Sequence, residues 1–435
     1  MKNKIIKFVI LLFITTVFSS CNDAGMTGNN ASDTSSLSTQ DSQTSETQVP
    51  CVSVQQTSVT HDNVNKEQKD VSKNFLYTIN DSESIRIYDY IGDENVVVFP
   101  EHIGGMPVTE IACFGNERID EIFIPESVTE IDMSTFMSSS PNLSKIAISQ
   151  DNSCFCAKDN ILYTKDMNKL ILYPQGLHTS EFTLPEDVSY IGVCAFARNK
   201  YIERINSQKD IKGILDGAFS GCTNLSDISF SIDTEFIGPF AFFECSSLKS
   251  VSLKNVTAIG NNAFGECTSL ETIALSDKLE IIMIDAFYGC SSLESIELPS
   301  ENEFFCIYQD ALCYKDMSKI IKLPPKSGIE TFIIPSSVEM IDDGAFMKCE
   351  TLKEVIIEDG ATTSMTGNYF KDCVNLKKMY IPTSFPCLES YFENCPKLKI
   401  YTVEGSKADK FAVNQNFPVA YVDNCQDYMN ITKKS

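Results

Sequence analysis

Phenylalanine recurs along this chain at a nearly fixed interval, and that period limits the possible fold more than any other feature. Phe114, Phe136, Phe196, Phe219, Phe242, Phe264, Phe287, Phe346, Phe370 and Phe392 are separated by 22, 60, 23, 23, 22, 23, 59, 24 and 22 residues. Many follow alanine, as at Ala195, Ala218, Ala241, Ala263, Ala286 and Ala345, and a cysteine often comes three residues later: Cys222, Cys245, Cys267, Cys290, Cys349, Cys373 and Cys395. Three further on is a leucine (Leu225, Leu248, Leu270, Leu293, Leu352, Leu376, Leu398) that opens a short alternating run, such as Leu293, Ile296 and Leu298 before Pro299. A second apolar pair, such as Val128 and Ile131, precedes the next anchor. A unit of about 23 residues cannot bury its own apolar face, so neighbours must stack and share a core. Alternation of period two turns the leucine and isoleucines inward and the intervening residues outward. The expected fold is a β-rich, right-handed solenoid with one main strand per coil of about 23 residues and little helix. Length alone, 435 residues, would have suggested about three domains of about 150 residues.

The two long steps carry a larger repeat. Asp159 to Pro174, with Leu162-Tyr163-Thr164-Lys165-Asp166-Met167, returns 150 residues later as Gln309-Asp310-Ala311-Leu312-Cys313-Tyr314-Lys315-Asp316-Met317, and the offset holds through Pro185/Pro335, Ile191/Ile341 and Phe196/Phe346. Alternating apolar residues on either side of Lys165-Asp166-Met167 and Lys315-Asp316-Met317 predict a hairpin with a polar turn in each interlude, bulging from one edge of the solenoid.

The ends differ in kind. Lys2, Lys4 and Lys7 precede an apolar run, Phe8 to Phe18, too short to span a bilayer and fit for a signal segment over residues 1–20. Phe18-Ser19-Ser20-Cys21 resembles a bacterial lipobox, which makes Cys21 the expected lipidation site and the membrane a partner through its acyl chains. Residues 21–73, rich in Ser, Thr, Gln and Asn, are expected to be a flexible tether, with idle Cys51 and His61; the solenoid is expected over 74–423 and a tail over 424–435. The net charge is −24, and −27 once the three signal lysines are removed, so no basic surface is present to replace phosphate counterions and nucleic acid is excluded as a partner. An acidic solenoid favours a protein partner with a basic surface.

The pattern Ile-Pro-x-Ser-Val-x-x-Ile followed by Ala-Phe-x-x-Cys-x-x-Leu resembles the BspA-type, or Treponema pallidum-type, leucine-rich repeat of surface lipoproteins. It stands at Ile124-Pro125-Glu126-Ser127-Val128-Thr129-Glu130-Ile131, and at Ile334-Pro335-Ser336-Ser337-Val338-Glu339-Met340-Ile341 followed by Ala345-Phe346-Met347-Lys348-Cys349. The first coil, with Ile103-Gly104-Gly105-Met106-Pro107-Val108, and the closing Gly405-Ser406-Lys407-Ala408-Asp409 are also similar to the family. The alanine is missing before Phe136 and Phe370. The resemblance implies an exported, lipid-anchored protein of the bacterial envelope, at the outer membrane or cell surface, acting as an adhesin toward host matrix or other bacterial surfaces.

The residues that could carry chemistry are few. Seven ladder cysteines at one repeat position are expected to be free, inward-facing thiols, since a small buried hydrophobe fits that place. Cys154 and Cys156 form a Cys-x-Cys, with Cys306 and Cys313 in the second interlude, but these pairs sit coils apart and no metal site is expected. His102 and His178 have no serine or cysteine partner in the sequence, no phosphate-binding glycine loop appears, and neither a catalytic residue nor a cofactor is expected. The alternative readings are an enzyme acting on surface polysaccharide or peptide through a carboxylate pair, and a structural envelope protein. The outward strand positions are Lys145/Ala147, Asp227/Ser229, Ser250/Ser252, Thr272/Ala274, Ser295/Glu297, Glu354/Ile356 and Lys378/Tyr380. Among them Glu354, Ile356, Lys378 and Tyr380 form the candidate binding face, an apolar and aromatic centre with a charged rim.

Overall fold

The structure is a computed structural model; it describes residues 71–112, 117–133, 140–209, 211–228, 234–361, 367–385 and 392–423, all within the compact unit Glu67–Ser435. The signal segment, Cys21, most of the tether, the tail over 424–435, Phe114, Phe136 and Ser229 lie outside the described residues.

The chain winds as a β-solenoid of about 13 turns with little helix. Each coil has three sides. The first is the long strand, running parallel and in register with its neighbours: Glu181–Leu184, Arg204–Ser207 and Asp227–Ile228 make one such sheet, and Ser250–Ser252, Thr272–Ala274 and Ser295–Glu297 another. The second is a short strand of two residues, and Tyr190–Ile191, Gly213–Ile214, Phe236–Ile237, Ala258–Ile259 and Ile281–Ile282 stack into a second parallel ladder. The third is the turn carrying Ala-Phe-x-x-Cys. There the amide N–H of Phe242 donates to Ala263 O of the next coil at 2.7 Å, while that of Cys245 closes back on Phe242 O at 3.1 Å. Alanine is needed beside the phenylalanine because its backbone lies between stacked coils; Ala218, Ala241, Ala263 and Ala286 are fully buried.

The phenylalanines stack as the period requires. Phe196, Phe219, Phe242 and Phe264 follow one another at 5.0, 5.2 and 5.2 Å between ring centroids, with Tyr173 completing the row at 4.8 Å from Phe196. Near-parallel aromatic contacts of this kind add about 0.5–1.5 kcal/mol each to the apolar burial. Two turn positions per coil take positive φ: the residue before the alanine (Gly217, Asn262, Gly344) and the second after the phenylalanine (Gly221, Gly289, Asn394). Where these are not glycine or asparagine, as at Phe240 (φ 55°) and Arg198 (φ 58°), the coil holds an uncommon conformation.

The interludes differ from expectation in two ways. Each is a three-stranded meander, not one hairpin: Phe155–Lys158, Ile161–Thr164 and Lys169–Leu172 in the first, Phe305–Tyr308, Ala311–Tyr314 and Lys319–Lys322 in the second. Asp159-Asn160 and Gln309-Asp310 make the extra turns with consecutive positive φ, the mirror-image turn that matches strand twist. Nor do they bulge outward. Ile161, Leu162 and Tyr163 are buried, and the third strand of each meander pairs parallel with the next short strand, so a meander begins a fresh sheet. Asn152 and its 150-residue counterpart Asn302 staple each meander to the coil before it. The side-chain amide of Asn152 donates to Pro125 O and Val128 O, and its Oδ1 accepts from the Cys154 and Phe155 amides. That of Asn302 donates to Ser276 O and Leu279 O.

The solenoid opens on an antiparallel pair, Phe75–Ile79 with Ile85–Tyr90, and ends on the helix Lys407–Asn414. Ser406 caps that helix by accepting from the Asp409 amide, and Ala408 and Ala412 face the core.

Candidate functional site

The outer side of the long strands is the surface the sequence singled out. In the middle coils it is small and polar, with Ser250 and Ser252 exposed and Thr272 and Ala274 half-buried. At the C-terminal end the parallel register brings the four chosen residues together: Glu354 opposite Lys378, and Ile356 opposite Tyr380. Lys378 Nζ forms an ion pair with Glu354 Oε1. Ile356 and Tyr380, however, are fully buried, which corrects the expectation that they face solvent. In-register stacking sets Ile333, Ile356, Tyr380 and Tyr401 in one row that closes as a satellite cluster, with the rings of Tyr380 and Tyr401 4.7 Å apart. Period-two alternation says which side a residue takes; it does not say whether that side is covered.

The short-strand ladder presents a different surface. Register aligns Tyr190, Gly213, Phe236, Ala258 and Ile281 on the outer side, opposite the inward isoleucines Ile191, Ile214, Ile237, Ile259 and Ile282. Tyr190, Phe236, Ala258 and Ile281 are half-buried, as are Leu215 and Met283 beside them. The Phe236 ring packs against Gly213, where an added Cβ would come within 2.5 Å of it. Ile284 at 53% and Phe240 at 40% exposure extend the apolar area toward the turn, where Phe240 also packs edge-on against Phe243. Acidic residues precede two of the apolar ones, Glu235 before Phe236 and Glu280 before Ile281, and both are exposed, with Lys212 the basic exception. The face is thus an apolar stripe with the exposed carboxylates of Glu235 and Glu280 on its rim. The signal was in the sequence, in the residue before each inward isoleucine, but a two-residue strand shows no alternation to direct attention to it.

The thiols are placed by the repeat. Cys222, Cys245, Cys267, Cys290, Cys349, Cys373 and Cys395 are free and buried, as expected. Each donates to a backbone carbonyl one coil back, for example Cys267 Sγ to Phe242 O at 3.1 Å and Cys290 Sγ to Phe264 O at 3.1 Å. Burial pushes the thiols of Cys222 and Cys290 up to about 12. Cys156 and Cys306 occupy equivalent places, donating to Thr164 O and Tyr314 O, while Cys313 lies across the ladder from Cys306 and Cys154 is half-buried near the first meander's turn. Among the described residues no group of three or more His, Cys, Asp and Glu side chains is arranged to hold a metal ion. The ring of His178 packs against Tyr201 at 4.0 Å, and His102 pairs with Pro107 in a short antiparallel strand.

One further cluster is polar and buried. Lys319 and Asp342 form an ion pair at 2.6 Å with both side chains nearly excluded from solvent. Lys322, fully buried, donates to Gly344 O at 2.8 Å, and burial lowers its pKa.

Coils of nearly equal length, stacked core on core and held by parallel ladders between the meanders, define a leucine-rich repeat scaffold. The model of the BspA type leucine-rich repeat region, which spans six copies, matches residues 107–176, 173–293, 237–329 and 325–412, and the chain belongs to that family. Its leucine-rich repeats are typical of bacterial surface proteins and consistent with protein binding. Among solved structures, the chain is similar to a leucine-rich cell surface protein of Faecalibacterium prausnitzii, at 22% identity over 78% of this chain and 96% of that one, with a TM-score of 0.41. It is also similar to a leucine-rich repeat protein of Bacteroides ovatus, at 20% identity over 83% and 100% of the two chains, with a TM-score of 0.36. A leucine-rich repeat protein of T. pallidum is 20% identical over 70% and 89%, with a TM-score of 0.22. Comparison of the sequence with curated proteins finds no match. No helix of the described residues is long and apolar enough to cross a membrane.

Proposed function

We propose that this protein is a lipid-anchored adhesion scaffold of the bacterial surface, tethered through Cys21, whose solenoid binds a protein partner on the short-strand face. The observation that carries this reading is the stripe of Tyr190, Phe236, Ala258 and Ile281 with exposed Ile284 and Phe240, on a chain of net charge −24. An apolar centre supplies the energy of association, and a charged rim sets its partner and its rate. Glu235 and Glu280 on the rim call for lysine or arginine opposite them, which host matrix proteins with basic surfaces would supply. A second copy of this acidic chain would be repelled.

The test is binding of cells bearing the full chain to immobilised matrix proteins. Phe236→Glu with Ile281→Glu should weaken attachment by at least tenfold with unchanged circular dichroism, and high salt should weaken the wild type. Cys21→Ser should release the chain from the cells without altering the affinity of the released protein. Attachment by the double variant equal to wild type would discard the face. A wild type that binds no matrix protein would remove the adhesin reading altogether.

A further inference from the structure

The solenoid is interrupted where the second meander enters. Among the described residues no strand pairing joins Ile281–Ile282 to Lys319–Lys322, or Ser295–Glu297 to Thr331–Ile334. The apolar core divides at the same place, one cluster ending around Phe287, Cys290 and Ile321 and the next starting at Ala311, Cys313 and Leu323. Ties across this joint include the Asn302 side chain and the Lys326 amide, which donates to Leu293 O at 2.9 Å. The joint is lined with charge. Asp285, in the turn before Ala286, faces Asp342 and Asp343 of the coil beyond the meander and Lys319 of the meander's last strand. Tyr288 of the same turn adjoins, with Glu266 and Lys371 beyond it.

Two buried carboxylate oxygens here have no hydrogen-bond partner, Asp285 Oδ1 and Asp342 Oδ2. They come from the two sides of the joint. Three carboxylates around one ion-paired ammonium leave an excess of negative charge in a place poor in water. One proton would remove part of that excess.

We propose that this joint is an acid-tightened articulation, in which Asp285 takes up a proton and so loses its repulsion from Asp342 and Asp343, letting the two halves of the solenoid close on each other. Burial, followed by the charges of Asp342 and Asp343, pushes the Asp285 carboxyl up to about 6, against the opposing Lys319 ammonium and the Asp343 amide. The sign follows from linkage. A carboxyl whose pKa is raised in the closed joint holds its proton there and loses it on opening, so closure is favoured as the pH falls through about 6 and weakened as it rises. Asp285 has φ 57°, a conformation that asparagine also accepts, so Asp285→Asn should mimic the protonated acid without straining the turn.

The test uses two buried thiols of the full chain. Cys290 borders the joint and Cys245 lies two coils back, and both are fully buried. Native protein is labelled with 4,4′-dithiodipyridine, and the ratio of Cys290 to Cys245 modification, read by peptide mass, cancels the intrinsic pH dependence of thiols. From pH 5 to pH 7.5 the ratio should rise about tenfold, the factor expected for one carboxyl moving between about 6 closed and about 4 open. Asp285→Asn should hold the low ratio at both pH values. Asp342→Asn, which removes the largest facing charge, should move the step to lower pH. A flat wild-type ratio, or a full step retained in Asp285→Asn, would overturn the proposal; should that variant fail to fold, an unmoved step in Asp342→Asn would do so.

Discussion

Each phenylalanine carbonyl that accepts a ladder thiol serves two donors. Phe242 O accepts the Cys245 amide at 3.1 Å within its own turn and the Cys267 thiol at 3.1 Å from the next coil. The cysteine is therefore a small apolar filler that also ties coil to coil, which explains the position better than packing alone. The spacing of cysteines showed their alignment and their inward direction, but not the carbonyl they reach, because that depends on how one turn sits on another. Reactivity follows from burial. At pH 8 a thiol raised to about 12, as at Cys222 and Cys290, is ionised to about one part in ten thousand. A disulfide reagent added to the native protein at pH 8 should modify half-exposed Cys154 within minutes and the seven ladder thiols only far more slowly, as their coils open, while denaturant should release all seven at once. Peptide mapping checks this, and prompt native labelling of Cys245 or Cys267 would refute it.

At the scale of elements, long strands were legible and short features were not. The run from Leu293 to Pro299 contains the observed strand Ser295–Glu297 because its alternation spans enough residues to be seen. The Asp159-Asn160 turn is hidden in the sequence because the second turn, with Lys165-Asp166-Met167, is the more evident polar break. The helix Lys407–Asn414 escaped because eight residues make little more than two turns, and its stability comes from docking Ala408 and Ala412 against Phe392 and its neighbours. Its cap is nevertheless readable after the fact. Ser406 Oγ accepts the Asp409 amide at 3.1 Å, and Asp409 Oδ2 accepts the Gly405 amide at 2.9 Å in return. Ser406→Ala should lower the stability of the C-terminal coils by about 1 kcal/mol, the ordinary value of a lost helix cap. Chemical denaturation would measure it, and hydrogen exchange should place the loss in residues 407–414, with the middle coils unaffected.

For the whole molecule, the binding surface was harder to foresee than the fold. Repetition announces a solenoid through nine intervals, whereas a face is defined by which outward rows stay uncovered, and Ile356 and Tyr380 show how that can fail. The same repetition makes stability local, since coils contact only their neighbours. Three apolar clusters, centred on residues 75–172, 161–321 and 311–412, meet at the meanders. Strand pairing is interrupted on the N-terminal side of each, so unfolding should proceed by segments and not as one transition. Phe242 is the sharpest probe, fully buried and stacked between Phe219 and Phe264 at 5.2 Å on either side. Phe242→Ala should cost the middle segment about 3–5 kcal/mol, the range for truncating a buried phenylalanine. Hydrogen exchange across a denaturant series should then show early loss of protection over the middle coils, with Val355, Met379 and Ile400 of the C-terminal segment keeping wild-type protection. Equal loss in both segments would mean that the staples at the second joint, Asn302 and the Lys326 amide, bind the coils into one cooperative unit despite the broken ladder.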